Sequence, residues 1–415
     1  MATFVDGSRA WIAAAAFALY PRHGESVAWV SGNTDLLAVA AVLAVLLLVR
    51  AHGSLAARAA GIAALTAVAT LSKEIAFTMP VLALLVLRWN RGRRELVLPA
   101  AILLVEAGTF AARLAEIGGI GGYNQYPWTP KRMVGSAASY VLASGTPPTV
   151  PAFRYPLVFL LPAALLGIAV WRLLVLRRRG AREDVRLALM SAAWFIVALL
   201  PLLSLPVDLN NANGERNILL ASVGLALVLA ALIPVPRRTL GAAVATAGLV
   251  VLAALSVYES FDWVEAGRLN RRLLPAAEAL APGGGELVLL SAPEHYRTAH
   301  LFIGGNLSSQ FRYRGSTGFT TAFCTHVELR GLRSGAIRFK RGPGGSYRGL
   351  TGWAAPFDFP VLRSETALTG ECSYSRLPGG PEPVGLGLRA LVTPAPSRSP
   401  VVVAYFDGRD WRRCC

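Results

Sequence analysis

A chain of 415 residues that is 54% hydrophobic and 16% charged, with a mean hydropathy of +0.48, is too apolar for an ordinary soluble protein. Its formal net charge of +17 does not point to nucleic acid, because the arginines fall between apolar runs instead of interleaving with aromatics on one surface. The expected architecture is a polytopic α-helical membrane bundle of about nine spans followed by a small β-rich extracytoplasmic domain.

The apolar runs lie at about 3–20, 35–50, 54–71, 75–89, 95–112, 156–176, 187–205, 217–233 and 239–258. Several are shorter than the roughly 20 residues of a full crossing. The first is the weakest, since only Trp11 to Leu19 is cleanly apolar. Asp6 and Arg9, with no small-residue cleavage pattern after the run, argue against a cleavable signal peptide. Basic residues set the expected sidedness. One set of connections holds fourteen, at 50 and 58, 88–94, 172–186 and 237–238; the alternate set holds seven, Arg22, Lys73, Arg113, Lys131, Arg132, Arg154 and Arg216, over longer loops. The first set is therefore expected in the cytoplasm, which puts the N-terminus inside and the C-terminal domain outside. Among the outer connections, the loop 113–155 contains a stretch from Arg132 to Ser144, rich in small and apolar residues, expected to lie as a helix along the interface.

The expected domains are a membrane domain over 1–258, a helical linker over 259–285 and a β-rich domain over 286–415. In the last of these, short β-like runs (ELVLLS, AHLFIGG, SSQFRYRG, AIRFKRG, LRALVTP, PVVVAYFDG) alternate with glycine, proline and serine. All four cysteines fall in the last quarter of the chain, which suits a disulfide-permissive compartment. They allow three pairings, of which Cys324 with Cys372 is the expected one.

Ionisable residues at membrane depth cost on the order of 3 kcal/mol each at a helix centre, so a cluster of them calls for an explanation. His23, Glu25, Asp35, Lys73, Glu74, Asp208, Glu215 and Arg216 all fall at the outer ends of spans. For any one of them the plain reading is a solvated or paired headgroup-level residue; for the set, a shared cavity is the stronger reading. Chemistry on a lipid phosphate would need a cation such as Lys73 or Arg216 to take the leaving phosphate, and a carboxylate to accept a proton from the nucleophile. There is no Asp-x-Asp pair or His/Cys ligand spacing, so no metal is expected. The glycine pairs at 118–119 and 121–122 lack the lysine of a phosphate-binding loop. His295 and His300 are a weak metal candidate.

Four stretches in order, FALYPRHGESVAWVSGNTDLLA, TLSKEIAFTMPVLALLVLRW, GGIGGY and NGERNILLASVGLAL, resemble the membrane domain of the transmembrane and tetratricopeptide-repeat O-mannosyltransferases and their bacterial relatives, within the GT-C class of polyprenyl-phosphate-sugar-dependent glycosyltransferases. His23, Glu25, Trp29, Gly32 and Asp35 match the family's hinge pattern, Ser72 to Glu74 its SKE turn and Gly214 to Arg216 its GER motif. The resemblance covers about residues 10–235. It implies an integral protein of a bacterial inner membrane that moves a sugar, mannose being one candidate, from a polyprenyl-phosphate carrier to a protein or glycan acceptor on the outer face. The implied partners are membrane lipid, the lipid-linked sugar and the acceptor, with no cofactor and no nucleic acid. Lys73 and Arg216 would bind the lipid phosphate, His23, Glu25, Asp35 and Tyr123 would bind substrate, and Glu74 and Glu215 would support the adjacent cations. The family's catalytic acidic residue would lie upstream of Met1, leaving the catalytic residue of this chain unassigned. Tyr20 and Asn33 depart from the family pattern, and no tetratricopeptide repeats follow. The alternative is a non-catalytic membrane module displaying a carbohydrate- or protein-binding β domain.

Overall fold

The computed structural model describes residues 7–29, 32–87, 93–117, 128–147, 156–205, 207, 209, 214–233, 239–281, 285–302, 306–315, 320–323, 326–329, 334, 337–351, 361–363, 372–376, 389–394 and 401–414. The chain divides into two units, Met1–Glu259 and Ser260–Cys415.

The first unit is helical. In order it contains α1 (Gly7–Ala18), α2 (Gly24–Ala28), α3 (Asn33–Arg50), α4 (Leu55–Ser72), α5 (Met79–Val86), α6 (Val97–Ile117), α7 (Pro130–Gly145), α8 (Leu160–Arg178), α9 (Arg182–Leu199), α10 (Leu219–Leu232) and the first half of α11 (Thr239–Glu278). Among the described residues seven helices are long and apolar enough to cross a membrane, fewer than the nine spans expected. The shortfall is at the first and fourth runs. Helix α1 has 12 residues, about 18 Å at the helical rise against a hydrocarbon core of about 30 Å. It stops because Tyr20 is extended (φ −68°, ψ 118°) ahead of Pro21, as a pre-proline residue prefers. The fourth run is divided. An extended Lys73 (φ −159°, ψ 144°) breaks the chain from α4, a 3-10 turn covers Glu74–Thr78, and α5 lasts only until Leu87 turns extended.

Helix α10 is the most enclosed member of the bundle, 72% of its apolar window being buried against 11% for α8. It packs on α9 at Gly224, where a Cβ would stand 2.7 Å from Ser191 O and 2.8 Å from Phe195 N. Trp194 Nε1 of α9 donates to Leu220 O at 3.0 Å across the same seam. Arg58 of α4 clips the end of α3, donating to Leu48 O at 2.9 Å and Val49 O at 2.7 Å, and pairs with Glu95 at 2.7 Å. Helix α7 starts with Pro130 after Thr129, whose hydroxyl accepts from Arg132 N at 3.3 Å. Its buried side carries Ser136, Tyr140 and Ala143, and Tyr140 donates to Leu205 O at 2.8 Å, while Val134 and Val141 are exposed.

Among its described residues the second unit holds three four-stranded sheets, ordered β12-β11-β1-β4, β6-β7-β10-β9 and β3-β2-β5-β8. The strands are β1 (Glu286–Leu289), β2 (Ala292–Tyr296), β3 (Ala299–His300), β4 (Thr320–Phe323), β5 (His326–Leu329), β6 (Ile337–Arg341), β7 (Tyr347–Thr351), β8 (Val361–Arg363), β9 (Cys372–Arg376), β10 (Arg389–Pro394), β11 (Val401–Phe406) and β12 (Trp411–Arg413). The first sheet is mixed: β1 runs parallel to β11 and β4, and β12 closes antiparallel on β11. The helical stretch expected as a linker belongs to this unit's core. Leu269, Leu273 and Ala277 of α11 bury with Leu287, Leu289, Phe406 and Trp411, and Trp411 Nε1 donates to Leu273 O at 2.8 Å.

The run SSQFRYRG forms a helix, α12 (Asn306–Tyr313), where the sequence suggested a strand. On a strand Phe311 and Tyr313 would share a face; here Phe311 is buried and Tyr313 is 94% exposed, as a helical turn of about 100° per residue requires. Cys414 is disulfide-bonded. Of the expected Cys324–Cys372 pair, Cys324 lies outside the described residues.

Candidate functional site

The hinge between α1 and α3 folds tightly because of its sequence. Pro21 fixes the first residue of a 3-10 turn over Pro21–His23, and the short α2 follows directly. Gly32 then lets the chain turn back: a Cβ there would meet Ser26 O at 2.5 Å and Glu25 O at 2.8 Å. The GER segment needs its glycine for a different reason. Gly214 adopts a left-handed conformation (φ 85°) and accepts from Asn217 N at 3.1 Å, which starts the 3-10 turn Glu215–Ile218. These two turns and the SKE turn bring distant residues together.

Arg22 forms a fully enclosed ion pair with Glu215, their side chains 1% and 0% exposed. It also donates to Thr146 O at 3.1 Å and Thr146 Oγ1 at 3.0 Å, so one guanidinium ties the hinge to the GER segment and to the end of α7. Glu25 accepts from the backbone N of Arg216 at 2.9 Å and faces Arg216 Nε at 3.7 Å. The Arg216 guanidinium lies 4.6 Å from the centre of the Trp29 ring, a cation–π arrangement. Lys73 Nζ stands 3.6 Å from Asp35 Oδ1. Asp35 also lies within electrostatic reach of Arg216 and Glu25, which joins the two pairs into one cluster. Glu74 is bridged by Arg113 from α6.

His23 Nε2 lies 2.9 Å from Ser222 Oγ. Ser222 gives its own proton to Leu219 O at 2.8 Å, so its oxygen accepts and the imidazole carries its proton on Nε2. Burial pushes His23 down to about 3. It is therefore a neutral donor, packed edge-on against Phe17 and Tyr20, and not a cation for phosphate.

The structure thus gathers His23, Glu25, Asp35, Lys73, Glu215 and Arg216 from three parts of the chain. Tyr123 and Asp208 lie outside the described residues. The pairing differs from sequence proximity: Asp35 faces Lys73 and Glu25 faces Arg216, whereas Glu74 bridges Arg113 and Glu215 bridges Arg22. Successive side chains on a 3-10 turn or an extended residue point in different directions, so sequence neighbours do not share a partner. Lys73 and Arg216 keep 17% and 27% side-chain exposure, against 1% for Arg22. Arg113 keeps 22%, whereas Arg22 is enclosed with Glu215. Sequence reasoning gave no role to Arg22, Ser222 or Thr146. Arg22 was detectable in principle, as an arginine between a proline and a histidine at a span end.

Among the described residues no group of three or more His, Cys, Asp and Glu side chains is arranged to hold a metal ion. His295 and His300 sit opposite each other on β2 and β3 in the second unit, with ring centres 4.5 Å apart and planes tilted by 42°. No protein-family description, curated protein or solved structure matches the chain.

Proposed function

We propose that the chain is a membrane glycosyltransferase-like protein that uses a polyprenyl-phosphate sugar as donor and works on the outer face of a bacterial inner membrane, with its C-terminal unit on that side. The observation that carries this reading is the pairing of two partly exposed cations, Lys73 and Arg216, with two buried carboxylates, Asp35 and Glu25, in one cluster. A phosphate can replace a carboxylate at each cation with little rearrangement, because both are oxygen acceptors of the same charge sign. In the reaction an acceptor hydroxyl forms a bond to the anomeric carbon, the bond from that carbon to the phosphate oxygen breaks, and the phosphate leaves with the electron pair. The hydroxyl proton passes to a carboxylate, for which Asp35 and Glu25 are placed once their cations turn to phosphate. His23 donates from a fixed position and shapes the pocket wall. Glu215 and Glu74 hold Arg22 and Arg113 and so keep the turns in place.

The test is transfer of sugar from a polyprenyl-phosphate donor by the purified chain in lipid. Lys73→Ala and Arg216→Ala should each lower turnover by on the order of 100-fold, the usual cost of one charge-stabilising group. Turnover unchanged in both variants would falsify the phosphate-binding assignment.

A second reading has its own observation. Each of Arg22, Lys73, Arg113 and Arg216 already has a carboxylate partner, as a purely structural lining would have. On that reading the chain is a non-catalytic module that displays its β-rich unit to a carbohydrate or protein. A folded chain that binds no polyprenyl phosphate supports it.

A further inference from the structure

Glu106 lies about midway along α6, within the apolar stretch Arg93–Glu116. It is 5% exposed, and its Oε1 has no hydrogen-bond partner among the described residues. The elements packed against α6 are α4, α5 and the 3-10 turn Arg93–Leu96. Helix α5 (MPVLALLV) brings no ionisable side chain. Arg58 of α4 pairs with Glu95 of the 3-10 turn at one end of α6, and Arg113 of α6 itself pairs with Glu74 at the other. Arg113 is about 10 Å further along the axis than Glu106 and Glu95 about 16 Å back, by the helical rise. Arg93 and Arg94 precede Glu95 on that same distant turn. Thr66 on α4 is fully buried, and its hydroxyl oxygen also lacks a partner among the described residues.

A buried carboxylate with no cation beside it among the described residues carries an uncompensated charge, and taking up a proton is the least costly way to remain buried. We propose that Glu106 is a proton-binding site within the packed helices of the first unit. It sits in the α4–α5–α6 interface as a neutral acid at neutral pH. This site is separate from the hinge cluster and does not depend on the function proposed for it.

The full chain in lipid provides the test. Its thermal stability is measured from pH 6 to pH 9 beside that of Glu106→Gln, a neutral isostere. Every other titrating group is common to the two proteins, so the difference between their profiles belongs to Glu106. The wild type should lose stability relative to Glu106→Gln as pH rises, because the unfolded chain has given up this proton while the folded site still holds it, by several degrees in Tm across the range. A hydrophobic carbodiimide, dicyclohexylcarbodiimide, then locates the proton: it adds to a protonated carboxyl and rearranges to a stable N-acylurea that keeps all atoms of both reactants. Peptide mapping should find that adduct on Glu106 at pH 7, with less at pH 9 and none in the glutamine variant. Parallel stability profiles overturn the proposal, whatever the labelling shows. So does a glutamine variant that is already less stable than wild type at pH 6.

Discussion

Asp407 stands at the bend between β11 and β12, where its carboxylate is enclosed by donors. Oδ1 accepts from the backbone N of Arg409 at 2.8 Å and of Asp410 at 2.9 Å; Oδ2 accepts from Arg412 Nε at 2.9 Å and Ser334 Oγ at 3.0 Å. Burial alone would raise its titration point, but these hydrogen bonds outweigh burial and hold the carboxyl below the usual carboxylate range. A carboxylate depressed in the folded state contributes stability above its unfolded value of about 3.9, and that contribution is lost as pH falls through the lower folded value. Asp407→Asn should therefore destabilise the second unit at pH 7 by about 2 kcal/mol, the scale of hydrogen bonds to a charged group. It should also flatten the acid limb of its stability profile. Urea titrations of wild type and variant at pH 7 and pH 3 check both, and an equal loss at the two pH values would count against the account. The same logic separates the arginines of the hinge. Arg22 is enclosed with Glu215, whereas Arg216, set over the Trp29 ring, is partly exposed.

At the scale of the element, close approach of helices depends on where side chains are missing. Gly224 of α10 faces the backbone of α9, and a Cβ there would fall 2.7 Å from Ser191 O and 2.8 Å from Phe195 N. Backbone atoms cannot step aside as a side-chain tip can. Gly224→Ala should cost about 1–3 kcal/mol through overpacking, with a lower Tm in detergent. Gly248 of α11 has nothing within 4 Å of its virtual Cβ, so Gly248→Ala should leave Tm unchanged or slightly raised. Equal effects of the two substitutions would show that the α9–α10 seam is looser than described. The extended Lys73 acts at the same scale. Extended between α4 and the 3-10 turn Glu74–Thr78, it faces Asp35 of the hinge while Glu74 faces Arg113 of α6.

For the whole molecule, the distribution of basic residues makes a topological prediction. With the arginine-rich connections in the cytoplasm, a reporter enzyme that works only outside it should be active when fused after Tyr258. The same reporter fused after Arg179 should be inactive. Activity at Arg179 and silence at Tyr258 would reverse the orientation proposed here and place the hinge cluster on the cytoplasmic face.

By itself the sequence determined that this is a helical, membrane-type chain with a composition break near residue 258, because hydropathy and its period are local properties. The unit boundary at Glu259 and Ser260 falls beside that break. The sequence also singled out His23, Glu25, Asp35, Lys73, Glu215 and Arg216, because ionisable residues are costly beside apolar spans wherever the chain folds. Tertiary structure decided the rest. Among the described residues it left seven helices of crossing length where nine apolar runs were expected, since a 3-10 turn or an extended residue ends a helix without ending the hydrophobicity. It turned SSQFRYRG into a helix, which buries Phe311 and leaves Tyr313 exposed, a split that strand alternation would not give. It also assigned each cation its carboxylate, Asp35 to Lys73 and Glu25 to Arg216, because partners across a bundle are set by packing geometry, on which separation along the chain has no hold.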